Sequence, residues 1–213
     1  MRKLLISMAD SNPAYREMLA VTAPSHAKYA AIHGYDYALA SPHVVDGLRE
    51  HRHPSWSKVQ MLMECSRRQP NGFALFLDAD VVVSDYSKDI IEDFPYGKKF
   101  GMVVHHTSDG AVPNCGVLAC MGDCLDELQD IWDSPSFGRS QFWWEQAGMI
   151  HTLGGDPDAT PIAVPEGPLW GELPYEWNPH ANDPRAFPPG LRFFHATMLA
   201  DRVKALTMMR GPL

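Results

Sequence analysis

Residues 73–80 read Phe73-Ala74-Leu75-Phe76-Leu77-Asp78-Ala79-Asp80, five apolar residues that run into two acids. A short, continuously apolar run set off by a turn signal, here Pro70-Asn71-Gly72, is the pattern of a strand buried on both faces, as in a parallel sheet. Side chains two apart on extended chain project the same way, so Asp78 and Asp80 face together with Ala79 opposite. At about 4 Å separation two carboxylates repel by about 4 kcal/mol in an effective dielectric of about 20. The fold must then raise one pKa, supply a Lys or Arg, or bind a cation. A divalent metal with oxygen ligands meets that need and also receives a diphosphate. The alternative is that one Asp caps the following turn and the other is solvated, a common use of strand-end Asp.

Upstream, Leu4-Leu5-Ile6-Ser7-Met8 is another short apolar run, and Asn12-Pro13 supplies an N-cap and first-turn proline that open a helix. Pro24 either kinks this helix or starts a second, Gly34 stops it, and residues 35–39 alternate as a strand. Residues 41–54, with Pro42, Gly47 and Pro54, read as a loop. From Ser55 a helical spacing places Trp56, Val59, Leu62, Met63 and Ser66 on one side. Downstream, a short helix near Ile90 precedes strands at 101–106 and 116–120, then helices around 125–132 and 142–153. Prolines crowd 157–189, which reads mostly as loop, with strands at 162–164 and 191–194 and a closing helix over 199–209. Strands alternating with helices predict an α/β fold, a mainly parallel sheet with helices on both faces. Ligands in such sheets bind beyond the carboxyl ends of the strands, where Asp10, Asp78 and Asp80 all fall.

The 213 residues, 45% hydrophobic and 21% charged, suit one globular α/β domain over 1–213. A formal charge of −8 argues against broad binding to nucleic acid or acidic membrane, which needs a basic face. No apolar run approaches the ~18 residues of a membrane span. The stretch after Met1-Arg2-Lys3 stops at Asp10-Ser11-Asn12, too early for a signal peptide. Cys65, Cys115, Cys120 and Cys124 lack CxxC spacing, so a reduced, cytoplasmic compartment is expected rather than a disulfide framework. A zinc site drawn from His105, His106, Cys115, Cys120 and Cys124 matches no common finger.

Other candidates arrive separately. Lys58, near a helix start, either meets a phosphate or lies on a solvated face. Asn114-Cys115-Gly116 begins a strand: an Asn side chain donates and accepts, which suits sugar hydroxyls, and Gly lets a ligand approach the backbone. A plain turn is the alternative. Trp143-Trp144-Glu145-Gln146 sets two aromatics before an acid and an amide at a helix start, and packing alone does not call for both Glu145 and Gln146. His195 follows an apolar strand, either as a neutral imidazole ligand or as a structural histidine.

Taken in order, Tyr29-Ala30, His33-Gly34-Tyr35, Trp56-x-Lys58, Phe76-Leu77-Asp78-Ala79-Asp80, Asn114-x-Gly116, Trp144-Glu145-Gln146 and Phe193-Phe194-His195 resemble the galactosyl/xylosyltransferases of glycosyltransferase family 34 (GT34). These have the GT-A (nucleotide-diphospho-sugar transferase) fold; the resemblance to family 8 (GT8) is more distant. It implies metal-dependent transfer of a hexosyl or pentosyl unit from a UDP- or GDP-sugar to an acceptor hydroxyl, with retention of configuration. The departing phosphate would accept the acceptor's proton. Mn²⁺ (or Mg²⁺) is the implied ion, with Asp80 and His195 as ligands and Asp78 on the ribose and the metal. The base would lie near Met8, Ala9 and Asp10, with Tyr35 and Lys58 also in the nucleotide-sugar site. Asn114, Gly116 and Glu145 would meet the donor sugar and Gln146 the anomeric carbon, making Glu145 and Gln146 the catalytic pair. Residues 1–110 would form the nucleotide-binding half and 111–213 the donor-sugar and acceptor half. The family pattern follows the late His with a Gly and a Lys; here it is His195-Ala196-Thr197, and Arg202 or Lys204 is the expected replacement.

Asp78-Ala79-Asp80 also fits the nucleophile and acid of a haloacid-dehalogenase-like phosphatase, though that motif normally follows the first strand. A non-catalytic nucleotide-sugar-binding module is the non-enzymatic alternative. The acceptor is expected to be a glycan, a lipid-linked sugar or a modified base in viral DNA, met by loops in 41–54 and 155–190. There Trp170 and Trp177 either stack on a ring or pin the loop.

Overall fold

A computed structural model describes residues 1–48, 51–181, 183, 185 and 189–213. The apolar run becomes β3 (Phe73–Leu77), buried at every residue. On one side it pairs in parallel with β1 (Lys3–Met8), and β1 in turn pairs in parallel with β2 (Asp36–Ala40). On the other side lie the antiparallel strands β6 (Gly110–Met121) and β5 (Phe100–Thr107), and β7 (Trp170–Glu172) closes the sheet parallel to β5. The order is β2-β1-β3-β6-β5-β7. The sheet is mainly parallel, as expected, with a long hairpin built into one half.

Alternate residues of β3 feed two separate cores, which is why the run has no polar position. Ala74 and Phe76 pack with Val59, Leu62 and Met63 of α3 (Ser57–Arg68) and with Leu128 and Ile131 of α4 (Leu125–Trp132). Phe73, Leu75 and Leu77 pack on the other face with Tyr29 of α1 (Pro13–His33) and with Phe193. Each of the Leu, Ile, Val, Met and Phe side chains among them contributes about 1.5–3 kcal/mol when fully buried.

A second, two-stranded sheet pairs β4 (Val81–Val83) antiparallel with β8 (Phe193–His195), setting Val81 opposite His195. β4 begins straight after the acidic pair, through a turn in which the Val81 N–H donates to the Asp78 carbonyl at 3.1 Å. α7 (Arg202–Met209) packs beside α1 and β4.

Several local expectations need correction. α1 runs unbroken through Pro24, from the Asn12 cap to left-handed Gly34 (φ 71°). Residues 42–48 form a helix, α2 (Pro42–Leu48), despite Pro42 and Gly47; proline is tolerated in a first helical turn. The helix expected over 142–153 breaks at Trp144 (φ 45°) into α5 (Ser140–Trp143) and α6 (Glu145–Thr152). The strand expected at 162–164 is a single bridge between Ile162 and Gly110. Trp170 and Trp177 are buried, and the Trp177 Nε1–H donates to Asp93 Oδ2 at 2.9 Å. They pin the loop rather than offer a ring face. Among the described residues no helix is long and apolar enough to cross a membrane.

Candidate functional site

A cavity of about 890 Å³ opens beyond the carboxyl ends of β1 and β3. Of the sequence-predicted site residues, Tyr35, Lys58 and the Lys204 alternative do not line it; the others do: Ala9 and Asp10 after β1, Asp78 and Asp80 after β3, Asn114 and Gly116 in β6, Glu145 and Gln146 opening α6, and His195 ending β8. Tyr35 lies at the opposite end of the sheet, just before β2, where Asp36 pairs with Leu4 near the start of β1. Its hydroxyl donates to Asp89 Oδ1 at 2.6 Å inside an aromatic cluster with Tyr29 and Phe73. Tyr35 therefore supports the core and does not line the cavity, contrary to its expected place among the site residues.

One oxygen on each carboxylate and one ring nitrogen of Asp78, Asp80 and His195 lie within 4.8 Å of one another. The hydrogen bonds around His195 fix its tautomer. The Gly116 N–H donates to Asn114 Oδ1 at 2.9 Å, so that oxygen is an acceptor. Asn178 Nδ2 donates to the same oxygen at 2.9 Å, which turns Asn178 Oδ1 toward His195 Nδ1 at 2.9 Å. Nδ1 must then carry the proton. In neutral imidazole Nε2 is a bare lone pair, and it faces Asp80 Oδ1 at 3.3 Å. Two acceptors at that distance need a positive charge between them, from a proton or a bound cation. Fixing one ring nitrogen with an amide to aim the other is how proteins orient histidine ligands. Gly116 also makes room for the ring, because a Cβ there would overlap the His195 imidazole. The glycine read from sequence as a ligand approach is first of all a seat for His195.

Asp80 Oδ2 accepts from Arg202 Nη1 at 3.0 Å. Burial pushes the Asp80 pKa up, but His195 and Arg202 outweigh it and hold the carboxyl below its ordinary value. Asp78 goes the other way: burial raises it to about 6, against the pull of Lys58 and with the push of Asp80 and Glu145. The two acids thus sit in opposite environments two residues apart.

Lys58 does not reach the cavity. It is 1% exposed and spends its donors on Asp78 Oδ1 at 3.0 Å, Glu145 Oε1 at 2.9 Å and the Cys115 carbonyl at 2.8 Å. The expected phosphate contact is corrected accordingly: Lys58 is a buried crosslink between β3, β6 and α6. Glu145 Oε2 is left buried without a hydrogen-bond partner, on a residue that lines the cavity. Gln146 Oε1 accepts from Asn114 Nδ2 at 3.3 Å and from the Cys115 N–H at 3.2 Å, and the latter donor fixes the amide orientation. The positive φ of Trp144 turns the chain so that Glu145 starts α6, and the Trp144 ring stacks on His53 (centroids 3.7 Å, planes 4° apart).

Sequence reading missed Asn178, which is fully buried and links His195 to Asn114 from inside the proline-rich loop; no periodic signal marks it. It left Arg202 and Lys204 as alternatives, and Arg202 lines the cavity whereas Lys204 does not. His105 and His180 line the cavity too.

No protein-family model matches the chain, and no curated protein matches it by sequence. Solved structures match it by fold. A glycosyltransferase involved in glycosylation of the major capsid of PBCV-1 superposes with a TM-score of 0.68 at 17% identity, over 98% of each chain. Mouse xyloside xylosyltransferase 1 gives 0.53 at 11% identity, over 93% of this chain and 98% of that one. The bifunctional glycosyltransferase WbbM gives 0.54 at 14%, over 83% of this chain and 39% of that one. Identities this low establish the shared fold: the chain has the α/β fold of these GT-A glycosyltransferases.

Proposed function

We propose that the protein is a metal-dependent glycosyltransferase that moves a hexosyl or pentosyl unit from a UDP- or GDP-sugar to an acceptor hydroxyl. The observation that carries this reading is that His195 Nε2 faces Asp80 Oδ1 at 3.3 Å, beside Asp78, in the lining of a large cavity in this fold. Asp80, His195 and Asp78 would hold the cation, Mn²⁺ or Mg²⁺; such an ion neutralises charge on a departing diphosphate.

The chain's own residues account for the remainder. Arg202 supplies a second positive charge beside Asp80, in the role expected of a lysine in the resembled families. Preorganised charge of this kind stabilises a leaving group by several kcal/mol, because it need not reorganise as the bond breaks. The base lies against Ala9 and Asp10 at the end of β1. Glu145 Oε2, an acceptor with no partner, takes a hydroxyl of the donor sugar, and Lys58 holds the other oxygen so that this one stays aimed. Gln146 and Asn114 present amides near the anomeric carbon, and residues 111–213 carry this sugar-binding half. Holding donor and acceptor together supplies much of the rate. The acceptor, a glycan, a lipid-linked sugar or a modified DNA base, meets the cavity wall that His53, Pro54 and His180 contribute from the expected loop segments 41–54 and 155–190, and reaction proceeds with retention. Four free cysteines fit a reducing, cytoplasmic compartment.

A thermal-shift screen of nucleotide sugars with and without Mn²⁺ tests this. One UDP- or GDP-sugar should raise the melting temperature only with the metal, and Asp80→Ala should abolish the rise. An equal shift in the variant removes the proposed site.

A further inference from the structure

Odd- and even-numbered residues of the segment 79–84 bond to opposite sides. The even ones face β8: the Asp80 carbonyl accepts from the Ala196 N–H at 2.8 Å, Val82 pairs with Phe194, and the Ser84 N–H donates to the Arg192 carbonyl at 2.8 Å. The odd ones face α1 and the C-terminal tail, where no strand is available to receive them, and the Val83 carbonyl accepts from the Gly211 N–H at 3.0 Å. Instead, Thr22 Oγ1 donates to the Ala79 carbonyl at 3.1 Å, His26 Nε2 to the Val81 carbonyl at 2.7 Å, and the Val83 N–H donates to Ser25 Oγ at 3.2 Å.

The three side chains are fully buried, and they are themselves fixed. Ser25 Oγ donates to the Thr22 carbonyl at 2.7 Å. His26 must carry its proton on Nε2, since a carbonyl only accepts, so Nδ1 accepts from Ser7 Oγ of β1 at 2.7 Å. A buried polar stripe on a helix is costly unless every group is satisfied. Here each is satisfied by the backbone that carries the acids.

From this juxtaposition we infer that Thr22, Ser25 and His26 are positioning residues: α1 replaces a missing strand and sets the Asp78–Asp80 turn, and through the β4–β8 pair the His195 ring, at cation-binding separation. The inference rests on the metal-binding reading proposed above. It makes the cation affinity depend on hydroxyls that touch neither cation nor substrate.

Titrating the full-length protein with Mn²⁺ alone, and following free Mn²⁺ by electron paramagnetic resonance, tests it. Thr22→Val keeps the shape but removes the donor to Ala79, and should weaken Mn²⁺ binding about tenfold, in line with loss of a buried hydrogen bond. Thr22→Ser restores the hydroxyl and should bind within about twofold of wild type. Tyr29→Phe is the control: it removes a buried hydroxyl from the same helix, one that accepts the Ile90 N–H at 2.8 Å, and should leave Mn²⁺ affinity unchanged. Hydrogen exchange without metal is the second readout, with the Val83 amide exchanging faster in Thr22→Val while β1 amides keep wild-type protection. Folded Thr22→Val with wild-type affinity overturns the inference. If that variant does not fold, Ser25→Ala, expected to bind about threefold more weakly, serves instead, and unchanged affinity there overturns it equally. Wild-type protein that binds no Mn²⁺ overturns the metal reading, and the exchange experiment then still decides whether α1 holds this segment.

Discussion

Lys58→Met keeps the aliphatic stem but deletes the ammonium shared by Asp78, Glu145 and the Cys115 carbonyl. Removing one partner of a buried ion pair costs about 3–5 kcal/mol, because the abandoned charge stays out of water. Here two carboxylates are abandoned. Against that, the Asp78 side chain is 31% exposed, and water screens part of the penalty, so the lower end of the range applies. A loss of 1 kcal/mol moves the melting temperature of a chain of this size by about 2–4 °C, which puts the variant about 6–12 °C below wild type at pH 7. The deficit should also depend on pH. Asp78 already has a folded-state pKa raised to about 6, above its unfolded value, so it favours the fold at low pH and disfavours it as pH rises through about 6. Without Lys58 that pKa rises further, and protonation relieves the repulsion. The deficit should shrink between pH 7 and pH 5, and adding Glu145→Gln should recover about 1–2 kcal/mol at pH 7. Calorimetry and urea unfolding at both pH values measure this. A deficit below about 1 kcal/mol at pH 7, or one that does not change with pH, refutes the crosslink assignment.

Three further outcomes follow from the site and its supports. Arg202→Ala should weaken UDP binding in the presence of Mn²⁺ about tenfold by titration calorimetry, since the charge beside Asp80 is lost; unchanged affinity assigns the diphosphate to other residues. Tyr35→Phe should cost about 1.5–3 kcal/mol of stability, the value of a buried hydrogen bond to a carboxylate, while the KM for donor stays at the wild-type value; a raised KM would return Tyr35 to the nucleotide site. Burial lowers the pKa of His26 to about 4, of His105 to about 3 and of His180 to about 4, so these rings stay neutral in the fold while the unfolded chain takes up protons below pH 6.5. Stability present above pH 6.5 should therefore fall progressively toward pH 4, by about 3 kcal/mol for fully buried His26 alone, and a flat urea midpoint between pH 7 and 4.5 contradicts this.

What could be read from sequence follows from where periodicity carries information. The apolar run 73–77 announced a strand buried on both faces, and its two cores are why no polar residue interrupts it. The acids at its end, His195 and the Glu145–Gln146 pair all reach the cavity because each sits at the end of a strand or the start of a helix, where local signals are strongest. Long-range partnerships left no such trace. A lysine near a helix start reads equally as a phosphate ligand or a solvated side chain; only the fold shows that Asp78, Glu145 and Cys115 consume Lys58 instead. Tyr35 shares a motif with a strand that runs toward the cavity, yet it stands at that strand's far end. Asn178 lies in a proline-rich segment without repeat or alternation, and its role appears only when His195 and Asn114 come to either side of it. The backbone break at Trp144 was hidden because the residues on both sides of it favour a helix.

A crystal grown with Mn²⁺ and a nucleoside diphosphate, measured at the manganese absorption edge, addresses the central claim most directly. The account predicts one strong anomalous peak in contact with an Asp80 oxygen and His195 Nε2, with the diphosphate on its open side and Arg202 turned toward the phosphates. Diphosphate bound in the cavity with no peak there, or a peak that His195 does not touch, would contradict it.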